Sequence, residues 1–315
     1  VAHVGLGRAI AKIWKGKPAP VDYVVLWRVM RNLSDRQEIT VTDDMWFSPS
    51  QLASMCHRAY ALAAYLDKPV TKEFDVTSRW RMDLGTGGHA VAQDLWVGPT
   101  KMLLGGWRCP ACSKVHGLDP DDSPVYWRGG MRREKVTLKY AEPLPDVCRF
   151  CGFRPSSAAR FSFVEPLLYD EFYQVSGKCD GFLHPSIDAY EVVDFKFTGS
   201  LYHVRLRPYI QHVIQLSWYM WMARVYRGRI IYIDRTAKNF RDAWVEHSVE
   251  FDDYFMDSER RMLNDLRNCI KERQIYGEEY RKNPRFPVCR YGGKSPYGGP
   301  CECVAIEASG QGHGH

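Results

Sequence analysis

Tyr190-Glu191-Val192-Val193-Asp194-Phe195-Lys196-Phe197 is the stretch whose reading decides the fold. It is rich in β-branched and aromatic residues, which suit a strand, and strand side chains alternate between faces. Asp194 and Lys196 therefore share one face, while Val193, Phe195 and Phe197 share the other and point into a core. Two opposite charges on one face of an apolar strand are either a local ion pair on an exposed sheet or part of a site. The preceding segment, Ser176-Gly177-Lys178-Cys179-Asp180-Gly181, bears on the choice. Strands over 171–180 and 189–197, with a turn around 184–188, would form a hairpin that brings Asp180 to Asp194. Converging carboxylates repel unless a cation lies between them, and hard divalent ions such as Mg²⁺ suit oxygen ligands. Such a centre can bind a phosphodiester and acidify water. Lys196 beside it could orient that water or neutralise charge developing on phosphorus.

The flanking segments read as helices and strands. Pro208 opens a strongly apolar helix to about residue 226, with Gln211, Gln215 and Tyr219 on one face. Strands over 229–234 and 244–251 and a charged helix over 255–280 follow. Upstream, Ser48-Pro49-Ser50-Gln51 is a helix start: Ser48 caps, Pro49 suits the first position and Gln51 completes a capping box. That helix is expected to continue through Leu52, Cys56, Tyr60, Ala63 and Ala64. A second is expected to start near Gly87 and carry His89, Val91, Ala92 and Leu95. Its glycine-rich start, Gly85-Thr86-Gly87-Gly88, leaves room for another backbone to approach. Gln93 and Asp94 lie one turn beyond His89.

In this order the motifs resemble those of the PD-(D/E)XK nucleases. Gly177-x-x-Asp180 followed by Asp194-x-Lys196 is similar to the second and third motifs. Gln215-x-x-x-Tyr219 and Gly85-x-x-x-His89 resemble motifs of the RecB-like branch, in which the histidine is a metal ligand. The resemblance covers 46–95 and 166–304. It implies an α/β fold with a restriction-endonuclease-like core, a mixed sheet flanked by helices. It also implies Mg²⁺ or Mn²⁺ held by His89, Asp180, Asp194 and the backbone carbonyl of Phe195. Lys196 would assist the attacking water, and Gln215 and Tyr219 would position substrate or Lys196. The implied activity is a metal-dependent deoxyribonuclease, an exonuclease on single-stranded or end-bearing DNA, serving recombination, repair or phage DNA processing. The implied partners are DNA and a helicase or other recombination protein. Polarity and endonuclease action stay open.

Ten cysteines stand in the chain. Cys109-Pro110-Ala111-Cys112 and Cys148-Arg149-Phe150-Cys151 are two Cys-x-x-Cys pairs that can close a tetrahedral Zn²⁺ site; the alternative is two unrelated reduced pairs. Residues 98–165, rich in Gly, Pro, Cys, Arg and Lys, read as an inserted zinc-ribbon module. Its Arg128, Arg132, Arg133, Lys135 and Lys139 contact phosphates or form a solvated face. Ser48 to Leu52, with Cys56 and Tyr60, resembles the opening helix of iron–sulfur RecB-like nucleases, the AddB-type subunits and CRISPR-adaptation exonucleases. That likeness implies a [4Fe–4S] cluster on Cys56, Cys289, Cys301 and Cys303, tying the first helix to a cysteine-bound C-terminal lobe over 255–304. The long gap from Cys289 and the tight Cys301-Glu302-Cys303 pair depart from that pattern, so zinc or no ion are alternatives. Cys179 and Cys269 read as packing residues.

The organisation expected is an unassigned segment 1–45, nuclease parts 46–97 and 166–254 around the insertion, the C-terminal lobe, and a disordered tail 305–315. The 315 residues are 45% hydrophobic, ample for a packed core, and the net charge of +6 permits a polyanionic partner without requiring one. No apolar run is long enough to span a bilayer, and the first residues lack the apolar segment of a signal peptide. With ten cysteines and no secretion signal, metal ligation is expected over disulfides, in the cytoplasm of a bacterium or phage-infected cell. Gly292-Gly293-Lys294-Ser295 is no phosphate-binding loop, because Val288 stands where the upstream glycine is required. The competing function is a non-catalytic nucleic-acid-binding protein with a relict nuclease core and zinc ribbon.

Overall fold

A computed structural model describes residues 35–74, 76–118, 125–126, 132–133, 138–186, 189–239, 241–272 and 306. Residues 1–34 of the unassigned segment, Arg128, Lys135, Cys289, the 292–295 segment, Cys301, Cys303 and the tail beyond Ile306 lie outside the described residues.

The N-terminal part pairs β1 (Asp35–Ile39) antiparallel with β2 (Val70–Phe74), Ile39 opposite Val70. Between them lie α1 (Pro49–Ser54) and α2 (His57–Tyr65). The capping box forms as expected: the Gln51 amide donates to Ser48 Oγ at 3.2 Å, and the Ser48 amide donates to Gln51 Oε1 at 3.1 Å. The single helix expected through Ala64 is broken, because Met55 is extended (ψ 154°) and Cys56 begins the second helix. The break lets α1 lie on one helix of the core and α2 on another, α4 and α5 below.

Helix α3 (Val76–Val91) runs on into a wide turn over 92–97. It begins well before the expected start near Gly87. Glycines weaken a helix without ending it, and a side chain at Gly85 or Gly87 would meet nothing. Gly88 alone of these is closely approached, by the Phe197 ring at 2.8 Å from where a Cβ would stand, so the neighbour is a side chain and not a backbone.

The remaining elements are β3 (Leu103–Leu104), β4 (Gly106–Arg108), β5 (Val115–His116), β6 (Val125–Tyr126), β7 (Arg132–Arg133), β8 (Ser162–Val164), β9 (Leu167–Asp170), β10 (Val175–Lys178), β11 (Gly181–Ser186) and β12 (Ala189–Thr198). Helix α4 (Ile210–Ala223), β13 (Arg227–Asp234), β14 (Trp244–Glu250) and α5 (Asp253–Lys271) complete them. Five strands form a mixed sheet in the order β14-β13-β12-β11-β3. Its one parallel pair is β12 with β13, joined over one face by α4, as a parallel connection requires a crossover. Strands β5, β4 and β8 form a smaller sheet, and β6 and β7 a ribbon carrying Arg132 and Arg133.

The expected hairpin is redrawn. Residues 171–174 are a turn, β10 pairs with β9, and the strand beside β12 is β11, whose second half was read as the turn. The cause is a change of sheet at Gly181, whose φ of +142° only glycine adopts freely. A Cβ there would also stand 2.6 Å from Leu103. Asp180 sits at this switch, and the pairing of Gly181 with Val193 still delivers it to Asp194.

The alternation read along β12 is realised. Val193 and Phe195 join Ala92, Leu103, Leu183, Ile231 and Ile233 on one face. Val192, Ile230 and Tyr232 meet Leu216, Tyr219 and Met220 of α4 on the other. Ile214 and Trp218, on the far side of α4, pack with α1, α2 and α5. Helix α4 is therefore buried on both sides, which explains its strongly apolar sequence. Helix α5 instead buries one stripe, Met256, Leu263, Leu266 and Ile270, and Asp252 caps it by accepting from the Phe255 amide at 3.0 Å. Cys179 and Cys269 are buried. Among the described residues no helix is long and apolar enough to cross a membrane.

Candidate active site

Five parts of the fold deliver side chains to one place. Helix α3 brings His89, the link between β8 and β9 brings Glu165, and the β10–β11 switch brings Asp180. Strand β12 brings Asp194 and Lys196, and α4 brings Gln215 and Tyr219. His89 Nδ1 lies 3.0 Å from Asp180 Oδ1. The other Asp180 oxygen accepts the Phe195 amide at 2.6 Å, so Phe195 anchors the carboxylate through its N–H while its ring is buried in the core. Gln93 donates to the Asp180 carbonyl at 3.0 Å and reaches Glu165 Oε1 at 3.4 Å.

Lys196 Nζ donates to Asp194 Oδ1 at 2.9 Å and to Gln215 Oε1 at 3.0 Å. Gln215 Nε2 lies 3.4 Å from Asp194 Oδ1 and 3.5 Å from the Tyr219 hydroxyl. Gly177 matters here for space: a Cβ would stand 2.8 Å from Pro49 Cδ and 3.3 Å from the Tyr219 ring. Asp194 Oδ2 is buried without a hydrogen bond, although the Lys196 ammonium lies 2.8 Å away outside hydrogen-bonding geometry.

The donor atoms of His89, Glu165 and Asp180 lie within 4.8 Å of one another, a spacing at which three groups can share one metal ion. Glu165 is absent from the sequence-derived set. It stands alone after a short strand, before Pro166, with no motif spacing to mark it. Asp194 turns towards Lys196 instead, next to the trio.

The electrostatics favour an added cation. Burial, then the Asp180 charge, pushes Glu165 above the usual carboxylate range. Burial pushes Asp194 up to about 6; Lys196 opposes the rise and Asp180 adds to it. Burial would pull His89 down, but the charge and hydrogen bond of Asp180 outweigh it and hold the imidazole above its ordinary value. Burial, and the charges of Asp194 and Asp180 with it, raise the Tyr219 phenol well above its usual range, so it stays a neutral donor. Carboxylates that resist ionisation together are relieved by a positive ion between them.

The four cysteines of the two Cys-x-x-Cys pairs come together and could hold a metal ion. Cys109 Sγ lies 3.8 Å from Cys151 Sγ, and Cys112 Sγ lies 3.8 Å from Cys148 Sγ. The two turns repeat one design. The Cys109 carbonyl accepts from the Ser113 amide at 2.9 Å, and the Cys148 carbonyl accepts from the Gly152 amide at 2.8 Å. The residue closing each turn is left-handed, Ser113 at φ 61° and Gly152 at φ 74°. Buried His116 places Nε2 3.4 Å from Cys148 Sγ, with Glu142 Oε2 3.8 Å from its other nitrogen.

Cys56 is buried in one apolar cluster with Cys269 and Ile306, and Ile306 follows Cys303 closely in sequence. Lys139 stands over the Tyr140 ring at 5.0 Å.

No family model and no curated protein matches the chain. Among solved structures, the alkaline exonuclease LHK-Exo from Laribacter hongkongensis is similar at 12% identity and a TM-score of 0.30, over 37% of this chain and 61% of that one. The chain thus spans less than two thirds of that protein's length. The protein SSO0001 is similar at 12% identity and a TM-score of 0.32, over 81% of this chain and 86% of that one.

Proposed function

We propose that the protein is a metal-dependent nuclease that hydrolyses phosphodiester bonds in DNA, with its centre at His89, Glu165, Asp180, Asp194 and Lys196. The observation that carries this reading is the convergence of the His89, Glu165 and Asp180 donors within 4.8 Å, beside a buried Asp194 oxygen that lacks a hydrogen bond. One imidazole with two or three carboxylates suits Mg²⁺ or Mn²⁺. His89, Glu165 and Asp180 would hold the ion, with Asp194 Oδ2 at hand. A divalent ion there supplies a Lewis acid for a phosphodiester oxygen and makes nearby water more acidic.

The chain's own residues supply the rest. The Phe195 amide and Gln93 fix Asp180 from two sides. Lys196 has three N–H donors, of which Asp194 Oδ1 and Gln215 Oε1 take two. The third is left for a phosphate oxygen. Gln215 holds Lys196 in place, and the Tyr219 hydroxyl backs Gln215.

The cysteine cluster is proposed as a structural Zn²⁺ site. Zn–S bonds of about 2.3 Å in a tetrahedron put sulfurs about 3.8 Å apart, which is the spacing of both cross-pairs. A second cysteine-held group on Cys56, Cys289, Cys301 and Cys303 is supported by the burial of Ile306 in the same cluster as Cys56. Residues 98–165 are proposed as the module that carries the zinc.

Cleavage of end-labelled single- and double-stranded DNA, with Mg²⁺, Mn²⁺ or EDTA, tests the reading. Cleavage that needs the metal and is lost in Asp194→Asn is expected. Full DNA binding with no cleavage under any condition would leave the non-catalytic binding protein as the function.

A further inference from the structure

The segment joining β12 to α4 is anchored and at the same time conspicuously bare. Leu201 and Val204 are buried in the core beneath α4. The Val204 carbonyl lies 2.6 Å from His247 Nε2, and Thr198 Oγ1 donates to the Ser200 carbonyl at 3.0 Å. Held by these points, the chain presents Tyr202, Arg205, Leu206, Arg207 and Tyr209 outward. Tyr202 is 78% exposed and Leu206 95%. Neither Arg205 nor Arg207 has an ion-pair partner among the described residues, although acidic side chains elsewhere take up Arg229 and Arg149.

The ridge ends at the candidate centre. The Tyr209 amide donates to the Tyr232 hydroxyl at 3.1 Å, and His212 Nδ1 lies 2.7 Å from the same oxygen. Tyr232 stands opposite Lys196 in the β12–β13 register. His212 is pushed down to about 3, by burial first and by the Lys196 charge second.

We propose that the ridge 202–209 is a binding platform for single-stranded nucleic acid, leading a strand towards Lys196. A single strand alternates flat apolar bases with anionic linkers. Two exposed tyrosines, with two guanidiniums between them that have no ion-pair partner among the described residues, offer both kinds of contact, the first by stacking and the second by phosphate contact. A duplex keeps its base faces stacked on one another and offers none to Tyr202. What the strand is led to rests on the nuclease reading; the platform itself needs no hydrolysis.

The test is fluorescence anisotropy of a labelled oligodeoxythymidylate about 20 nucleotides long, with the full chain and no added divalent ion. Tyr202→Ala is expected to weaken binding at least about fivefold, the lower bound for losing one stacked base. Arg205→Ala/Arg207→Ala is expected to weaken binding and flatten the slope of log K against log salt by about 1.4, for two phosphate contacts to a single strand. The affinity for a duplex of equal length is expected to change little with Tyr202→Ala. All these side chains are exposed, so the variants keep the fold. Unchanged oligonucleotide affinity in both variants overturns the platform, and a ridge that serves a protein partner would give that result. An equal loss on duplex with Tyr202→Ala overturns the single-strand assignment. Wild-type hydrolysis of bis(4-nitrophenyl) phosphate with Mn²⁺ reads the centre separately. Its absence alongside lost oligonucleotide binding in the variants would sink the nuclease and leave the platform.

Discussion

Burial strips water from the Asp194 carboxylate, and the Lys196 ion pair replaces only part of it. The folded group titrates near 6 where a free aspartate has 3.8. The proton therefore favours the fold. That stabilisation is complete below the unfolded value and disappears as pH rises through about 6. At neutral pH the ionised side chain costs about 1–3 kcal/mol, at roughly 1.4 kcal/mol per pH unit. Asp194→Asn is then expected to melt higher than wild type at pH 7.5 without added divalent ion, by several degrees at about 2–4 °C per kcal/mol. The gap should close by pH 4. Thermal melts at the two pH values check this, and a variant that melts lower at pH 7.5 would refute the strain. Adding Mn²⁺ should raise the wild-type melting point and raise that of the variant less, since the variant lacks only the Asp194 carboxylate beside the His89, Glu165 and Asp180 donors. At this scale, period-two alternation was enough to place Asp194 and Lys196 together. Glu165 was not legible, because a lone acid before a proline carries no spacing and meets His89 only through the tertiary fold.

Helix α3, which carries the proposed ligand His89, lies close against β12. Gly88 lets the helix lie on Phe197 of β12, and His89 follows it directly. Gly88→Ala forces a Cβ into the Phe197 ring, and overpacking of this kind costs about 1–3 kcal/mol. Gly88→Ala is expected to fold with a lower melting point and with Mn²⁺ affinity reduced severalfold, because His89 moves with the helix. Isothermal titration checks it, and unchanged affinity would show that His89 does not bind the ion. Gly85→Ala, which meets nothing, serves as the neutral control. Helix α4 was legible from its long apolar run after Pro208, and strands β12, β13 and β14 from their runs of β-branched and aromatic residues. The β10–β11 switch was not, since it depends on a positive φ at Gly181 and on β3 arriving from elsewhere in the chain. The break at Met55 was hidden for a similar reason: α1 and α2 each satisfy the helical pattern but pack on different partners.

Across the whole molecule, the cysteine cluster and the acidic centre share a structural beam. Strand β8 pairs with β4, which leads into Cys109, and its other end leads into Glu165. Phe163 on that strand donates its amide to Asp94 at 2.8 Å, beyond α3, and packs on Trp107 at 5.0 Å. Trp107 in turn is pinned by its Nε1 donating to the Glu142 carbonyl at 2.9 Å. Cys148→Ser is therefore predicted to lose zinc and lower the melting point, and also to weaken Mn²⁺ binding at the distant centre. A purely local zinc site would lower the melting point and leave Mn²⁺ affinity alone. Zinc content by elemental analysis and Mn²⁺ titration on one preparation separate the two.

The nuclease reading is tested by the rate of cleavage of an end-labelled oligonucleotide across a Mn²⁺ titration. The titration would compare wild type, Glu165→Gln and Asp194→Asn. Wild type is expected to show saturable, metal-dependent cleavage, and Glu165→Gln a half-saturating Mn²⁺ concentration at least about tenfold higher, roughly the 1.4 kcal/mol of one lost ligand contact. Asp194→Asn is expected not to cleave at any concentration. Cleavage that ignores the metal, or an Asp194→Asn variant that cuts like wild type, would contradict the nuclease reading.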